Sequence, residues 1–297
     1  MASTSDANSR VVEVLDFLAS HPTERFTLSE IASQLGLSNG TAHRMLLSLT
    51  RARYLNRHPK HKTYTLGVAL VAIGQAALEQ HRGVEVARRE MLRLTEELKA
   101  QCWLTTIVDD EMLFVAKAGA PHTDDELYQI GERRLFLPPL GLLHIAWTHS
   151  DQRSSYLDTA EKLLSEAQFT HIKRSLAWVR EHGYAIAAHG DSLRVLGRVA
   201  RISLDRKNTA GYLARLHKLV GALSLKEIAL LDVDAAKGAE VAYITAPIFS
   251  PQGTVAFEIA LSGLPDKLTT EEIEHYIRRL RVAASVVTSE TFGRAPR

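Results

Sequence analysis

The chain has 297 residues, 45% of them hydrophobic and 24% charged, which is ordinary globular usage with room for two domains. Its 36 Lys and Arg against 34 Asp and Glu leave a net charge of only +2, so the protein as a whole is no polycation, and any nucleic-acid signal must lie in where the charge sits. The single cysteine, Cys102, excludes an intramolecular disulfide and a Cys-based zinc cluster; with no secretory signal in the polar start and no apolar run long enough for a bilayer, a soluble cytoplasmic protein is expected.

After a polar start, Ser9 precedes a helix with Val11, Val14, Leu15 and Leu18 on one face, and His21-Pro22 stops it. Thr27 and Glu30 have capping-box spacing and open a short helix that Gly36 ends. Ser38 is the next N-cap, and its helix runs to about Thr50 with Ala42, Met45, Leu46 and Leu49 inward. Tyr54 to Arg57 and Thr63 to Leu66 flank the basic turn His58-Pro59-Lys60-His61-Lys62 and read as a hairpin. Helix, helix, turn, helix, hairpin is the winged form of the helix-turn-helix, placed at residues 9–66.

A linker helix is expected from Val68 to about Gln80, within a segment 67–82. It is so apolar that burial against a second subunit is expected. His81-Arg82-Gly83 breaks it, and a helix follows from Val84 to Ala100. From Trp103 the period turns towards two: Trp103 to Val108 and Met112 to Ala116 pair around Asp109-Asp110, and Tyr128 to Ile130 is a further short strand. Helices are expected at Leu142 to His149, Asp151 to Ala160 and Thr170 to His182. Strands follow at Tyr184 to Ala187, Val241 to Phe249 and Val255 to Ser262, and a last helix at Thr270 to Thr288. Hairpins alternating with helices make residues 83–292 an α+β domain with an antiparallel sheet.

Between Glu30 and Glu79 there is no Asp or Glu, while Arg44, Arg51, Arg53, Arg57, Lys60 and Lys62 fall there with His43, His58 and His61. Duplex DNA repels carboxylates and rewards cations through counterion release. The first turn of the Ser38 helix offers Ser38, Asn39, Thr41, His43 and Arg44 to a major groove, where Asn and Arg can read adenine and guanine edges bidentately. Arg51, Arg53, Arg57, Lys60, His61 and Lys62 fall to the phosphates. A basic face without nucleic acid is the bland alternative, and the complete winged motif weighs against it.

Leu28-Ser29-Glu30-Ile31-Ala32, Leu35-Gly36-Leu37-Ser38, Thr41-Ala42-His43-Arg44-Met45-Leu46 and Tyr64-Thr65-Leu66-Gly67 resemble the IclR family of bacterial transcription regulators. Downstream, Ala246-Pro247-Ile248-Phe249 with Gly253, then Ser262-Gly263 and Leu268-Thr269, resemble the end of that family's effector domain. The resemblance implies a GAF-like domain that binds a small organic effector. It also implies a homodimer or a dimer of dimers on an operator, expected to be pseudo-palindromic double-stranded DNA. By the same resemblance, Phe136, Leu137 and Pro138 stand where the family has a polar-to-small motif, Tyr243 and Thr245 stand before Ala-Pro, and Ala260 replaces a pocket serine. With Cys102, Leu104, Thr106, Phe114 and Ser262, these are the expected lining, and the apolar bulk implies a larger, relatively apolar or aromatic effector. The stretch from His189 to Glu240 is longer than the family's short acidic loop and carries helix signals at Gly211 to Val220 and at Ser224 to Glu227. An ordered insertion at about 190–240 is expected, near the pocket or a subunit interface.

Thirteen histidines bring no His-Glu-x-x-His pattern, and there is no Gly-x-Ser-x-Gly elbow, Walker loop or Gly-x-Gly-x-x-Gly turn. His189-Gly190-Asp191-Ser192 reads as a turn, since a triad is defined in space. No enzyme, metal site or cofactor is expected. Two readings stand: a regulator answering to an effector, or a DNA-binding protein whose C-terminal domain only oligomerises. A filled space between the sheet and residues 136–141 would favour the second.

Overall fold

The computed structural model describes residues 7–120, 129–199 and 210–296. The first unit comprises α1 (Ala7–Ala19), β1 (Phe26–Thr27), α2 (Leu28–Gln34), α3 (Asn39–Arg51), β2 (Leu55–Arg57) and β3 (Thr63–Leu66). Helix α1 begins two residues before Ser9, whose hydroxyl turns to Glu13 inside the helix rather than capping it. Thr27 and Glu30 form the reciprocal capping box, and Ser38 caps α3 through the Thr41 amide. Val14, Phe17, Ile31, Leu35, Leu46, Leu49, Leu55 and Tyr64 close one core beneath the three-stranded sheet, in the order β1-β3-β2. Gly67 leaves no room for a side chain: a Cβ there would stand 2.2 Å from the Arg53 carbonyl oxygen.

Helix α4 (Ala69–Gln80) follows, with no buried residue; Val68 is 67% exposed, Val71 70% and Ile73 46%. Helix α5 (Arg82–Leu98) starts two residues before Val84 and buries Val86, Ala87, Met91 and Leu94. Then come β4 (Gln101–Val108), β5 (Glu111–Ala118) and β6 (Arg133–Leu135). The strand expected at Tyr128 to Ile130 lies partly outside the described residues. Gln129 and Ile130 are loop and turn, since Gly131 at φ +85° bends the chain ahead of β6. Helices α6 (Leu142–Ala146), α7 (Ser150–Leu163) and α8 (Glu166–His182) follow, the last opened by a Ser165–Gln168 capping box. After β7 (Ala185–Ala188), the insertion supplies α9 (Asp191–Val199), α10 (Ala210–Gly221), α11 (Leu225–Ile228) and a short 3-10 turn at Asp234–Ala236. The turn expected at His189 to Ser192 is instead the entry to α9. Strands β8 (Val241–Phe249) and β9 (Val255–Ser262) and helix α12 (Thr270–Glu290) end the fold.

The six strands run antiparallel in the order β6-β5-β4-β9-β8-β7. Alternation along them builds two layers. One face, with Cys102, Leu104, Ile186, Ile244, Ile248, Ile259 and Leu261, packs on α5 and α12. The other, with Trp103, Met112, Phe114 and Ala260, faces a second helical layer of α6 to α11 built on Leu143, Ile145, Ile172, Leu196, Leu216 and Ile228. The insertion is tied down by polar bonds: Gln168 Nε2 donates to the Gly221 and Leu223 carbonyls at 3.1 and 2.7 Å, and the Leu193 amide donates to Glu227 at 2.8 Å.

Candidate functional site

Two separate places carry chemistry. The first is the outer surface of α3 and the β2–β3 turn. Ala42, Leu46 and Leu49 anchor α3, so the opposite face presents exposed Asn39, His43 and Arg44. Arg51 and Arg53 are exposed at its C-terminal end, and Arg57, Lys60, His61 and Lys62 are exposed on the hairpin. The Arg57 guanidinium lies over the Tyr64 ring at 5.8 Å, and the His61 amide donates to His58 Nδ1 at 3.1 Å, which shapes the turn. Ser38 and Thr41 stand apart from the others. Ser38 Oγ accepts the Thr41 amide and donates to Thr41 Oγ1 at 2.9 Å, so both hydroxyls are engaged in capping and orient the helix instead of projecting from it.

The second place is a largely enclosed cavity of about 70 Å³ between the sheet and the second helical layer. Trp103, Met112, Phe114, Tyr243, Thr245 and Glu258 come from the sheet face, Arg134 from β6, Pro139 to Gly141 from the loop into α6, and Leu142 and Leu143 from its first turn. Gly141, at φ +77°, lets that loop close on the Phe136 ring, which a Cβ would meet at 1.9 Å. The Tyr156 hydroxyl holds the loop by donating to the Leu140 carbonyl at 3.0 Å. His189, Leu193, Arg194, Leu196, Gly197 and Ile228 make the insertion a wall of the cavity.

Of the residues expected to line it, Phe114, Tyr243 and Thr245 do. Cys102 and Leu104 do not: strand parity turns them to the α5–α12 side, where burial pushes the Cys102 thiol above its usual range. Thr106 Oγ1 instead donates to the Ala256 carbonyl at 2.9 Å. Ala260 and Ser262 lie on the right strand but outside the lining; Ala260 packs under Trp103 and Phe114, and the Ser262 hydroxyl is buried without a hydrogen-bond partner. Phe136 and Leu137 pack into the second helical layer, and Pro139 rather than Pro138 reaches the cavity.

Sequence reasoning missed the charged members. Arg134 is buried, paired with Glu132 at 2.7 Å, its guanidinium 5.0 Å from the Phe114 ring centre. Arg194 pairs with Glu240. Glu258 is 4% exposed. Burial pushes its carboxyl up to about 7 against the lowering effect of the His144 amide that it accepts. The His144 ring, Nε2 3.8 Å from Glu258, is held neutral by burial, down to about 3, although its contact with the Val255 carbonyl raises it. A glutamate inside an apolar strand was the available signal.

Strand β6 lies between the cavity and helix α1. Arg134 faces the cavity, while its neighbour Arg133 pairs with Glu111 at 3.1 Å and with Asp16 of α1 at 3.4 Å. Among the described residues, no group of three or more His, Cys, Asp or Glu could hold a metal, and no helix is long and apolar enough to cross a membrane.

Comparison with known proteins agrees with this division. The IclR helix-turn-helix profile matches residues 9–59, and the profile of the bacterial transcriptional regulator IclR C-terminal domain matches residues 75–195. The HTH-type transcriptional regulator KdgR of Escherichia coli K12 is 26% identical over 188 residues, 60% of this chain and 70% of its own. BhcR of Paracoccus denitrificans, an HTH-type transcriptional regulator, is 24% identical over 97% of this chain and 87% of its own. An IclR regulator structure from Alicyclobacillus acidocaldarius superposes with a TM-score of 0.69 at 18% identity, covering 96% and 98% of the two chains. An IclR homologue from Microbacterium hydrocarbonoxydans, complexed with 4-hydroxybenzoate, gives 0.65 at 19%, covering 96% and 99%. With a winged helix-turn-helix before a curled antiparallel sheet and helices, and both family profiles matched in order, the chain belongs to the IclR family of DNA-binding transcriptional regulators.

Proposed function

We propose that this regulator binds a specific operator through α3 and the β2–β3 hairpin, and that a small organic effector in the enclosed cavity controls that binding. The observation that carries the reading is the cavity itself: a domain serving only to oligomerise gives no reason for buried Arg134 and Glu258 to converge on a pocket walled by Trp103, Phe114 and Leu143. The 4-hydroxybenzoate complex of the Microbacterium homologue supports the same use of the fold. The cavity is mostly apolar, in keeping with a relatively apolar effector. Its size argues against the larger one expected from sequence: at roughly 10–15 Å³ for each water-sized group, it takes only a compact molecule.

Asn39, His43 and Arg44 are assigned to base edges, and Arg51, Arg53, Arg57, Lys60, His61 and Lys62 to phosphates, with 9–66, 67–82 and 83–292 as reader, linker and effector unit. The apolar exposed surface of α4 is assigned to a homodimer, placing two readers on a pseudo-palindromic operator in the cytoplasm. Helix α4 is more apolar than an isolated surface helix sustains. A gel shift with the protein's own upstream region, repeated across a panel of small metabolites, tests the reading. A retarded band that one compound releases or strengthens is expected. No band, or a band indifferent to every compound, would refute the operator or the effector half respectively.

A further inference from the structure

Glu258 lies on β9 with its side chain at the cavity wall, 4% exposed. Its carboxyl accepts the His144 amide, yet Oε1 has no hydrogen-bond partner. Thr105, its cross-strand neighbour, is fully buried and its hydroxyl is also unpartnered, as is Nε2 of His144. A buried acceptor left in this state costs free energy that an apolar side chain of the same shape would avoid. Of the three, Glu258 is the one that lines the cavity; Thr105 pairs with it across β4 and β9, and His144 Nε2 stands 3.8 Å from its Oε1. Glu258 Oε1 therefore marks the place where a bound molecule completes the hydrogen bonding.

The other charges restrict what that molecule can be. Arg134 already has Glu132, and Arg194 has Glu240, so a ligand carboxylate would compete with partners that are in place. A ligand ammonium would enter a cavity lined by two guanidiniums. A hydroxyl meets neither obstacle and both donates and accepts. Resting on the effector reading above, we infer that Glu258 selects the effector of this protein, and that it selects a compact, largely apolar alcohol whose O–H donates to Glu258 Oε1.

The test uses the full-length protein and three probes of matched chain length: n-butanol, butyrate and butylammonium, by isothermal titration. Wild type is expected to bind n-butanol at least about tenfold more tightly than either ion. Glu258→Met, apolar and of similar length, should lose at least about tenfold for n-butanol, whereas Glu258→Gln, which keeps an acceptor oxygen, should stay within about threefold. The Gln variant separates a lost hydrogen bond from a damaged fold. The inference is overturned if n-butanol does not bind, if either ion binds as well, or if Glu258→Met binds n-butanol like wild type. Alcohol binding that needs Glu258 but leaves the operator gel shift unchanged keeps the recognition and removes the effector role. Operator release by butyrate in wild type and Glu258→Met alike does the reverse.

Discussion

Replacing Glu258 by Gln isolates the cost of holding a carboxyl between β9 and α6. The folded protein pushes that group from its ordinary 4.5 up to about 7, because burial outweighs the one backbone hydrogen bond it accepts. A raised carboxyl holds its proton more firmly in the folded state. Its contribution is therefore complete below pH 4.5 and lost as pH climbs through about 7. At roughly 1.4 kcal/mol per pH unit, that interval costs the wild type about 3 kcal/mol by pH 8. Glutamine does not ionise, so the variant escapes the loss. His144 acts in the opposite direction: held neutral down to about 3, it removes stability as pH falls below 6.5, in both proteins. The informative quantity is the difference between them at each pH. Thermal unfolding at fixed protein concentration should show nearly equal midpoints at pH 4 and a Gln variant about 6–12 °C more stable at pH 8, for about 2–4 °C per kcal/mol in a domain of this size. A constant difference across that range would show that Glu258 titrates normally, and the cavity end would then be wet rather than apolar.

Four further outcomes follow from the geometry. Arg44→Ala should relax operator preference at one position by about 1–3 kcal/mol in competition gel shifts, and unchanged preference would move the reading face elsewhere on α3. Lys60→Ala should weaken all duplexes alike and flatten the plot of log affinity against log salt by about one. Leu46→Ala, at a fully buried position on the inner face of α3, should cost about 2–5 kcal/mol of winged-helix stability by denaturant unfolding while sparing unfolding of the sheet domain. Val71→Glu on α4 should shift the protein toward monomer in light scattering, each copy losing about 1.5–3 kcal/mol of apolar burial; an unchanged mass would place the subunit interface elsewhere.

The winged helix was legible in the sequence because its determinants are local. Thr27 with Glu30 and Ser38 with Thr41 cap within one turn, and Ala42, Leu46 and Leu49 recur at helical spacing. The surface chemistry was legible for a related reason: side chains on the outer face of α3 have no neighbour to change their meaning, so a stretch without carboxylates remains one in space. Strand β1 escaped because two residues, Phe26 and Thr27, carry no period; only pairing with Thr63 and Tyr64 makes them a strand. The entry to α9 reads as a turn because His189-Gly190-Asp191-Ser192 resembles one, and the Leu193 amide that ties the helix down bonds to Glu227, 34 residues away in sequence.

The cavity obeys a different logic, and that is why strand positions expected to line it divide between its wall and other places in the domain. Phe114, Tyr243 and Thr245 follow once a strand's inward face is chosen, but Cys102 and Leu104 show that the choice has two answers when helices cover both faces. Both sides of β4 are apolar, so alternation alone cannot say which side holds the pocket. What decides it is Trp103, whose ring meets Phe114 at a tilt and Tyr243 edge-on across four neighbouring strands, a relation that exists only after the order β5-β4-β9-β8 is known. The charged members lie deeper still. Arg134 reads as a surface arginine beside Arg133, yet one residue along β6 separates a cavity wall from an ion pair with Asp16 in the DNA-binding unit. A single residue of strand register thus distinguishes the group that can meet a ligand from the group that touches the winged helix.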